Sequence, residues 1–191
     1  SGALTNTVSY ALLLQGAQTP AYINITSNGA PVAANSMGAP NTGTPAGDWF
    51  RPYVDFGNGN RDAVQLQSGS SITYTFSGLD PLKRYIFKGT AARAYGGGYV
   101  NRWTLATIDG VNSYTHSHKP TWAEASISPN FGVLTSNDGG TMNANQAAWC
   151  SGENAVAGAM IVFTDIDPGS DGSFSITVQT YSGNVPGGSA N

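Results

Sequence analysis

Residues 71–116 constrain the fold of this chain most, because they combine alternating apolar runs with strong turn signals. In the first run, Ile72, Tyr74 and Phe76 alternate with serine and threonine. A period of two residues is typical of a strand that buries one face and leaves the other in solvent. We therefore predict a half-buried strand at the start of this stretch.

The turn after this run has the spacing of a tyrosine corner. Leu79, Pro81 and Tyr85 fall where the alternation stops and restarts. In Greek-key sandwiches, a tyrosine at this position bonds through its hydroxyl group to main chain a few residues upstream. The spacing predicts that contact here, followed by a second strand over about residues 84–91.

A glycine-rich loop comes next, and two further alternating runs follow it. Asp109-Gly110 separates residues 102–108 from residues 111–116. Asp-Gly between alternating runs is a strong hairpin signal, because the tight turn requires positive φ. We therefore predict that the two runs pair with each other as a hairpin.

The whole chain of 191 residues reads as one all-β domain, residues 1–191, folded as an antiparallel β-sandwich. About ten short runs are separated by glycine and proline, and no longer segment has a helical period. Charged residues make up only 10% of the chain, which with abundant Gly, Ser, Thr and Asn favours a secreted, extracellular protein. A net charge of −3 argues against nucleic-acid binding, and no apolar run is long enough to span a membrane.

The sequence lacks the motifs of the common catalytic classes. It contains no G-x-S-x-G, P-loop, H-E-x-x-H, C-x-x-C or G-x-G-x-x-G pattern. Glycoside hydrolysis usually needs two carboxylates, and the chain has only two glutamates, Glu124 and Glu153. Asp48 with Glu153 is a possible acid-base pair.

The single cysteine, Cys150, excludes an intrachain disulfide and is expected to be an inert, partly buried thiol.

Two sets of residues have the chemistry of metal ligands. Asp165, Asp167 and Asp171 could ligate Ca²⁺ together with nearby carbonyl groups, or could be solvated acids of a turn. A calcium site on the irregular residues 27–48 is an alternative. His116 and His118 lie two residues apart and could begin a metal site, although ordinary exposed histidines at a strand end are favoured.

Glycan binding is the chemistry that the sequence supports best. Sugars present apolar C–H faces and a rim of hydroxyl groups, so proteins bind them with aromatic rings and planar polar side chains. The loop of residues 92–101 and its flanks supply both kinds of group around three glycines. The candidate ligand-binding residues are Arg93, Tyr95, Tyr99, Asn101, Arg102, Trp122, Trp149 and Glu153.

The loop and the runs on either side of it also resemble a known class of module. The matching positions are Gly78-Leu79-Asp80-Pro81 with Tyr85, Arg93, Asn101-Arg102 with Thr104, Asp109-Gly110, and a second patch over residues 158–178. They resemble galactose-binding-like, jelly-roll carbohydrate-binding modules, which are non-catalytic parts of bacterial secreted polysaccharide-degrading enzymes. The resemblance implies a jelly-roll sandwich, glycan binding through loops at one end, and a structural calcium ion.

The function expected from the sequence is therefore a non-catalytic carbohydrate-binding module. It would tether a secreted enzyme to a polysaccharide or oligosaccharide, as part of a larger multidomain chain. Two alternatives remain: a structural or adhesive extracellular sandwich without glycan binding, and a small β-sandwich hydrolase or lyase that acts on polysaccharide.

Overall fold

The computed structural model describes residues 8–12, 21–29, 32–33, 42–50, 64–66, 68–92, 100–122, 131–139, 141–185 and 188–189. Strands make up 49% of the structure and helices 10%, which confirms the all-β antiparallel sandwich. The finer jelly-roll topology stays a prediction. None of the helices in the described ranges is long and apolar enough to span a membrane.

The strands are short and are numbered here in chain order. They are β1 (Val8–Leu12), β2 (Ala21–Asn28), β3 (Val32–Ala33), β4 (Val64–Gln65), β5 (Ser71–Ser77), β6 (Tyr85–Gly89), β7 (Trp103–Asp109), β8 (Ser113–His116), β9 (Val133–Thr135), β10 (Gln146–Cys150), β11 (Ile161–Asp167), β12 (Phe174–Tyr181), β13 (Asn184–Val185) and β14 (Gly188–Ser189). The helical elements are α1 (Pro45–Phe50), a 3-10 turn (Ser136–Asp138) and α2 (Asn154–Ala157).

Two sheets form the sandwich. The larger has seven antiparallel strands in the order β1-β2-β5-β12-β7-β10-β9, and the smaller has three in the order β6-β11-β8. Two short pairs, β3 with β4 and β13 with β14, lie outside them. The predicted first strand is β5, and the predicted second strand is β6.

The main core lies between the two sheets. Ile108 and Ile176 from the large sheet and Phe163 from the small sheet are almost completely buried in it. The ring of Phe76 stacks on Phe174, with centroids 4.8 Å apart, and meets Phe87 of the small sheet edge-on at 5.9 Å. The alternation of β5 and β12 therefore points one face of each strand into this core.

The tyrosine corner predicted from the sequence is confirmed. The hydroxyl group of Tyr85 accepts a hydrogen bond from the Asp80 N–H at 2.7 Å and donates to the Asp80 carbonyl oxygen at 3.3 Å. Gly172 packs against this corner with φ of 61°, and a Cβ atom there would lie 2.2 Å from the carbonyl oxygen of Leu79. The corner therefore joins the end of β5 to the turn before β12.

The predicted hairpin across Asp109-Gly110 is wrong. β7 pairs with β12 and β10 in the large sheet, whereas β8 pairs with β11 in the small sheet. Gly110 has the expected positive φ of 74°, but the chain then crosses to the other layer, where the Asn112 N–H bonds to the Asp167 carbonyl oxygen. Val111 and Tyr114 pack against the core between the sheets, which favours this crossing over a flat hairpin.

A second apolar group, here called the outer cluster, lies on the other face of the large sheet. It consists of Trp103, Leu105, Leu134, Ala148, Cys150 and Tyr181. Trp122, Met142 and Val185 are partly buried and pack against it. One end of the large sheet is therefore covered on both faces.

Candidate functional site

The candidate site lies at the end of the sandwich where β7 begins and β10 and β12 end. Trp103 is paired with Cys150 on one side and with Tyr181 on the other. Immediately beyond these strands, the Arg102 carbonyl oxygen accepts hydrogen bonds from the Gly152 N–H at 3.0 Å and the Ser151 hydroxyl group at 2.9 Å. We call residues 100–103, 150–154 and 181 the loop end.

The glycine-rich loop is held at both of its stems by this end. The Ala91 carbonyl oxygen accepts from Trp149 Nε1 at 3.0 Å and from Asn154 Nδ2 at 2.8 Å. On the other stem, the Val100 carbonyl oxygen accepts from Cys150 Sγ at 2.9 Å. Residues 93–99, which include the candidate residues Arg93, Tyr95 and Tyr99, lie outside the described residues, so their roles stay predictions.

Four of the predicted site residues lie within the described ranges and remain candidates, and three of them come together near these stems. Asn101 is exposed and Arg102 is half-buried at the start of β7, and Glu153 is half-buried just before α2. The fourth, Trp122, is half-buried next to β9, where its N–H bonds to the Val133 carbonyl oxygen, and its side chain packs against the outer cluster. β-sheet pairing thus gathers side chains that are up to 52 residues apart in the sequence, from Asn101 to Glu153.

Trp149 does not belong to a binding surface. It is 2% exposed, packs in the main core and donates from its indole nitrogen to the Ala91 carbonyl oxygen. A ring buried on both faces cannot stack on a sugar, so the prediction of Trp149 as an aromatic platform is corrected. Its role is to hold the first stem of the loop.

Asn154 is the residue that sequence reasoning missed. It is 0% exposed, and its Nδ2 atom donates to Thr90 Oγ1 and to the carbonyl oxygens of Ala91 and Ala159. Its Oδ1 atom accepts from the Ala159 N–H. No local pattern distinguishes a buried asparagine from one in an ordinary turn, so the sequence offers no signal for it.

The helix α1 packs against α2 beside the loop end. Gly158, with φ of 73°, ends α2, and a Cβ atom there would lie 2.8 Å from the Ala46 nitrogen. Asp48, on α1, is exposed, and Glu153 precedes α2. Of the two carboxylates considered as an acid-base pair, Asp48 therefore lies on α1 and Glu153 directly precedes α2, and these two helices are in contact.

Two of the three predicted calcium ligands, Asp167 and Asp171, make other contacts. Asp167 Oδ2 lies 3.0 Å from Arg84 Nη2, and Asp167 Oδ1 accepts from the Gly169 N–H. Asp171 accepts from the Ser173 hydroxyl group, and Asp165 is exposed with φ of 51°. Within the described ranges no three His, Cys, Asp or Glu side chains are grouped to hold a metal ion, so this aspartate site is corrected. A calcium site on residues 27–48 stays a prediction.

The two histidines form a hydrogen-bonded pair that the sequence did not predict. His118 is 3% exposed, and its Nδ1 atom accepts from the Val162 N–H at 3.0 Å. Its Nε2 atom lies 2.6 Å from His116 Nδ1, and His116 Nε2 lies 2.9 Å from the Ala144 carbonyl oxygen. The expectation of exposed histidines is therefore wrong for His118.

Cys150 behaves as the inert thiol that the sequence indicates. It is 1% exposed, and burial raises the pKa of its thiol to about 11. Because the thiolate is the reactive form, we expect almost no labelling of the native protein by Ellman's reagent over hours, and complete labelling in guanidinium chloride. A Ser182→Cys variant, with its thiol at an exposed position, is the control and should react within minutes. Rapid native labelling at Cys150 would contradict its burial.

Comparisons with known proteins identify no relative, since no protein-family model, curated protein or solved structure matches this chain.

Proposed function

We propose that this chain is a secreted, non-catalytic module that binds a polysaccharide or oligosaccharide and tethers an enzyme to it within a larger protein. The proposed binding surface is the loop end together with the glycine-rich loop that it holds. Neutral sugars carry no charge. A chain with 10% charged residues and a net charge of −3 is therefore better suited to bind an uncharged glycan than a polyanionic one.

One observation carries the proposal: Asn101, Arg102 and Glu153 lie together at the anchored stems of the loop, where the Arg102 carbonyl oxygen accepts from Ser151 and Gly152. An amide and a guanidinium group can each form paired hydrogen bonds with neighbouring hydroxyl groups, and a carboxylate accepts from others. The half-buried indole of Trp122, which packs against the outer cluster that contains Trp103 and Cys150, is the apolar surface proposed to accompany these polar groups. This combination matches the two kinds of surface that a sugar ring presents.

The structural or adhesive alternative predicts that the aromatic residues are buried. Trp103 and Trp149 are buried, but Trp122 is half-buried and Tyr22 is 46% exposed. A sugar-binding surface needs an aromatic face that solvent can reach, whereas a purely structural sandwich does not. These exposures favour the binding module.

Substitution of the polar groups at the loop end tests the proposal. We expect the native chain to be retarded in gels that contain a suitable polysaccharide. Asn101→Ala and Arg102→Ala should each weaken that binding by about tenfold, because each removes hydrogen bonds to the ligand. Isothermal titration with oligosaccharides of the same polymer gives the dissociation constants.

Lys88→Ala is the matched control, because Lys88 is an exposed cation on β6 of the small sheet. It should bind as the native chain does, and all three variants should keep the native melting temperature within a few degrees. Folded native protein that binds no polysaccharide in a broad panel would rule out the proposed function.

A further inference from the structure

The outer face of the large sheet carries a regular array of uncharged polar side chains. Four threonines are in register on four neighbouring strands: Thr26 of β2 faces Thr73 of β5, Thr73 faces Thr177 of β12, and Thr177 faces Thr107 of β7. Thr73 Oγ1 lies 2.9 Å from Thr177 Oγ1. These residues alternate with the apolar residues that enter the main core, so their side chains point away from it.

The polar character extends over three whole strands. On β2, β5 and β12, the positions that share the face of these threonines carry only Tyr, Asn, Thr, Ser and Gln. Thr26 and Asn28 are exposed, while Thr73 and Thr177 are half-buried. Such a surface offers many neutral donors and acceptors, and the charge that borders it is the carboxylate of Asp109 on β7, which faces Ser175 and accepts from Asn145 Nδ2.

An exposed aromatic ring lies on the same face. Among the described residues, three large apolar side chains are exposed: Tyr22, Leu82 and Ile86. Tyr22 is the aromatic one of these and faces Ser77, two positions before Asn24 on β2. Leu82 and Ile86 lie elsewhere, in the corner turn and on the small sheet. The polar array is therefore bordered by a ring that can pack on an apolar surface.

We propose that the outer face of β2, β5 and β12 is a second binding surface, which holds an uncharged polysaccharide chain with Tyr22 stacked on one sugar ring. The hydroxyl and amide groups of the array complement sugar hydroxyl groups, and the absence of charged side chains on these strands' outer face disfavours anionic polymers. The ligand class rests on the proposed function, but the surface does not: Tyr181, at the end of β12, is the residue that it shares with the loop end, and Tyr22 and the threonine array lie outside the loop end.

Affinity gel electrophoresis distinguishes the two surfaces. The native chain is run in gels that contain neutral polymers (hydroxyethylcellulose, galactomannan or xyloglucan) or acidic ones (alginate or polygalacturonate). We expect retardation by at least one neutral polymer. The Arg102→Ala background weakens glycan binding at the loop end. In that background, Tyr22→Ala and Thr26→Arg should each reduce the remaining retardation by about tenfold.

Ile86→Ala is the control, because it removes an exposed apolar side chain from the opposite sheet and should leave the retardation unchanged. Circular dichroism and melting temperatures establish that each variant is folded. The inference fails if no neutral polymer retards the chain, if only acidic polymers do, or if Tyr22→Ala and Thr26→Arg bind as their parent does. If the single Arg102→Ala variant loses all binding and Tyr22→Ala has no effect, the loop end is the binding site and the proposal of a second surface is overturned.

Discussion

The Asn154→Ala variant is expected to lose about 3 kcal/mol of unfolding free energy, a large fraction of the stability of a typical domain. The side chain is fully buried: the two hydrogens of Nδ2 are shared among three acceptors, and Oδ1 accepts one hydrogen bond. After truncation, the Ala91 carbonyl oxygen still accepts from Trp149. The Ala159 N–H, however, loses its side-chain acceptor inside the protein, which is the costly part of the change.

Urea denaturation at neutral pH measures this loss. Asn137→Ala is the matched control, because Asn137 is exposed in the 3-10 turn and should change the unfolding free energy by less than about 0.5 kcal/mol. Asn154→Asp should be at least as destabilising as alanine, because it places a carboxylate oxygen against groups that already accept hydrogen bonds. A loss below about 1 kcal/mol in Asn154→Ala would show that its hydrogen bonds are replaced, for example by water.

The same substitution bears on the proposed glycan site. Asn154 and Trp149 together fix the carbonyl group of Ala91, which forms the first stem of the glycine-rich loop. We therefore expect Asn154→Ala to affect the proposed site only through the position of this stem.

Local sequence patterns predicted the elements that depend on local interactions. The alternation of β5 and the tyrosine corner at Tyr85 both follow from spacing within a few residues, and both are confirmed. The pairing partners of β7 and β8 do not follow from spacing. An Asp-Gly turn permits a hairpin, but the burial of Val111 and Tyr114 between the layers decides that the chain crosses to the other sheet.

The candidate site was predictable in its residue types but not in its geometry. Asn101 and Arg102 were identified from the chemistry of one loop, whereas their proximity to Glu153 depends on the pairing of β7 with β10. Trp149 was misjudged for a related reason. Residues 146–150 have no alternation because both faces of β10 are covered near its end, and a continuous apolar run does not indicate which rings reach solvent.

Acid is expected to destabilise this protein through His118. The Ala144 carbonyl oxygen can only accept, so His116 Nε2 carries a proton, and His116 Nδ1 accepts from His118 Nε2–H. His118 Nδ1 then accepts from the Val162 N–H, so both ring nitrogens of the neutral imidazole are used. Protonation of Nδ1 would place a second proton against that N–H, in a side chain that is 3% exposed.

The sign of the effect follows from the pKa of His118 in the two states. Burial and, secondly, the neighbouring His116 lower this pKa from 6.5 to about 3 in the native protein. Between these values the unfolded chain binds a proton that the native protein does not, so stability is full above pH 6.5 and falls as the pH falls. Between pH 7.5 and pH 5 the expected loss from this residue is about 2 kcal/mol.

Chemical denaturation of the native chain and of His118→Gln across this pH range isolates the contribution. The variant is expected to be less stable at pH 7.5, because glutamine cannot reproduce the ring contacts with Phe163 and His116. Its stability should fall by about 2 kcal/mol less than that of the native chain between pH 7.5 and pH 5, since titrating groups away from the His116–His118 pair affect both proteins alike. A second measurement, the NMR titration of the His118 ring in the native protein, should show a neutral imidazole down to pH 4.5. Parallel stability curves, or a ring that titrates near pH 6, would contradict the assignment of His118 as a buried neutral histidine.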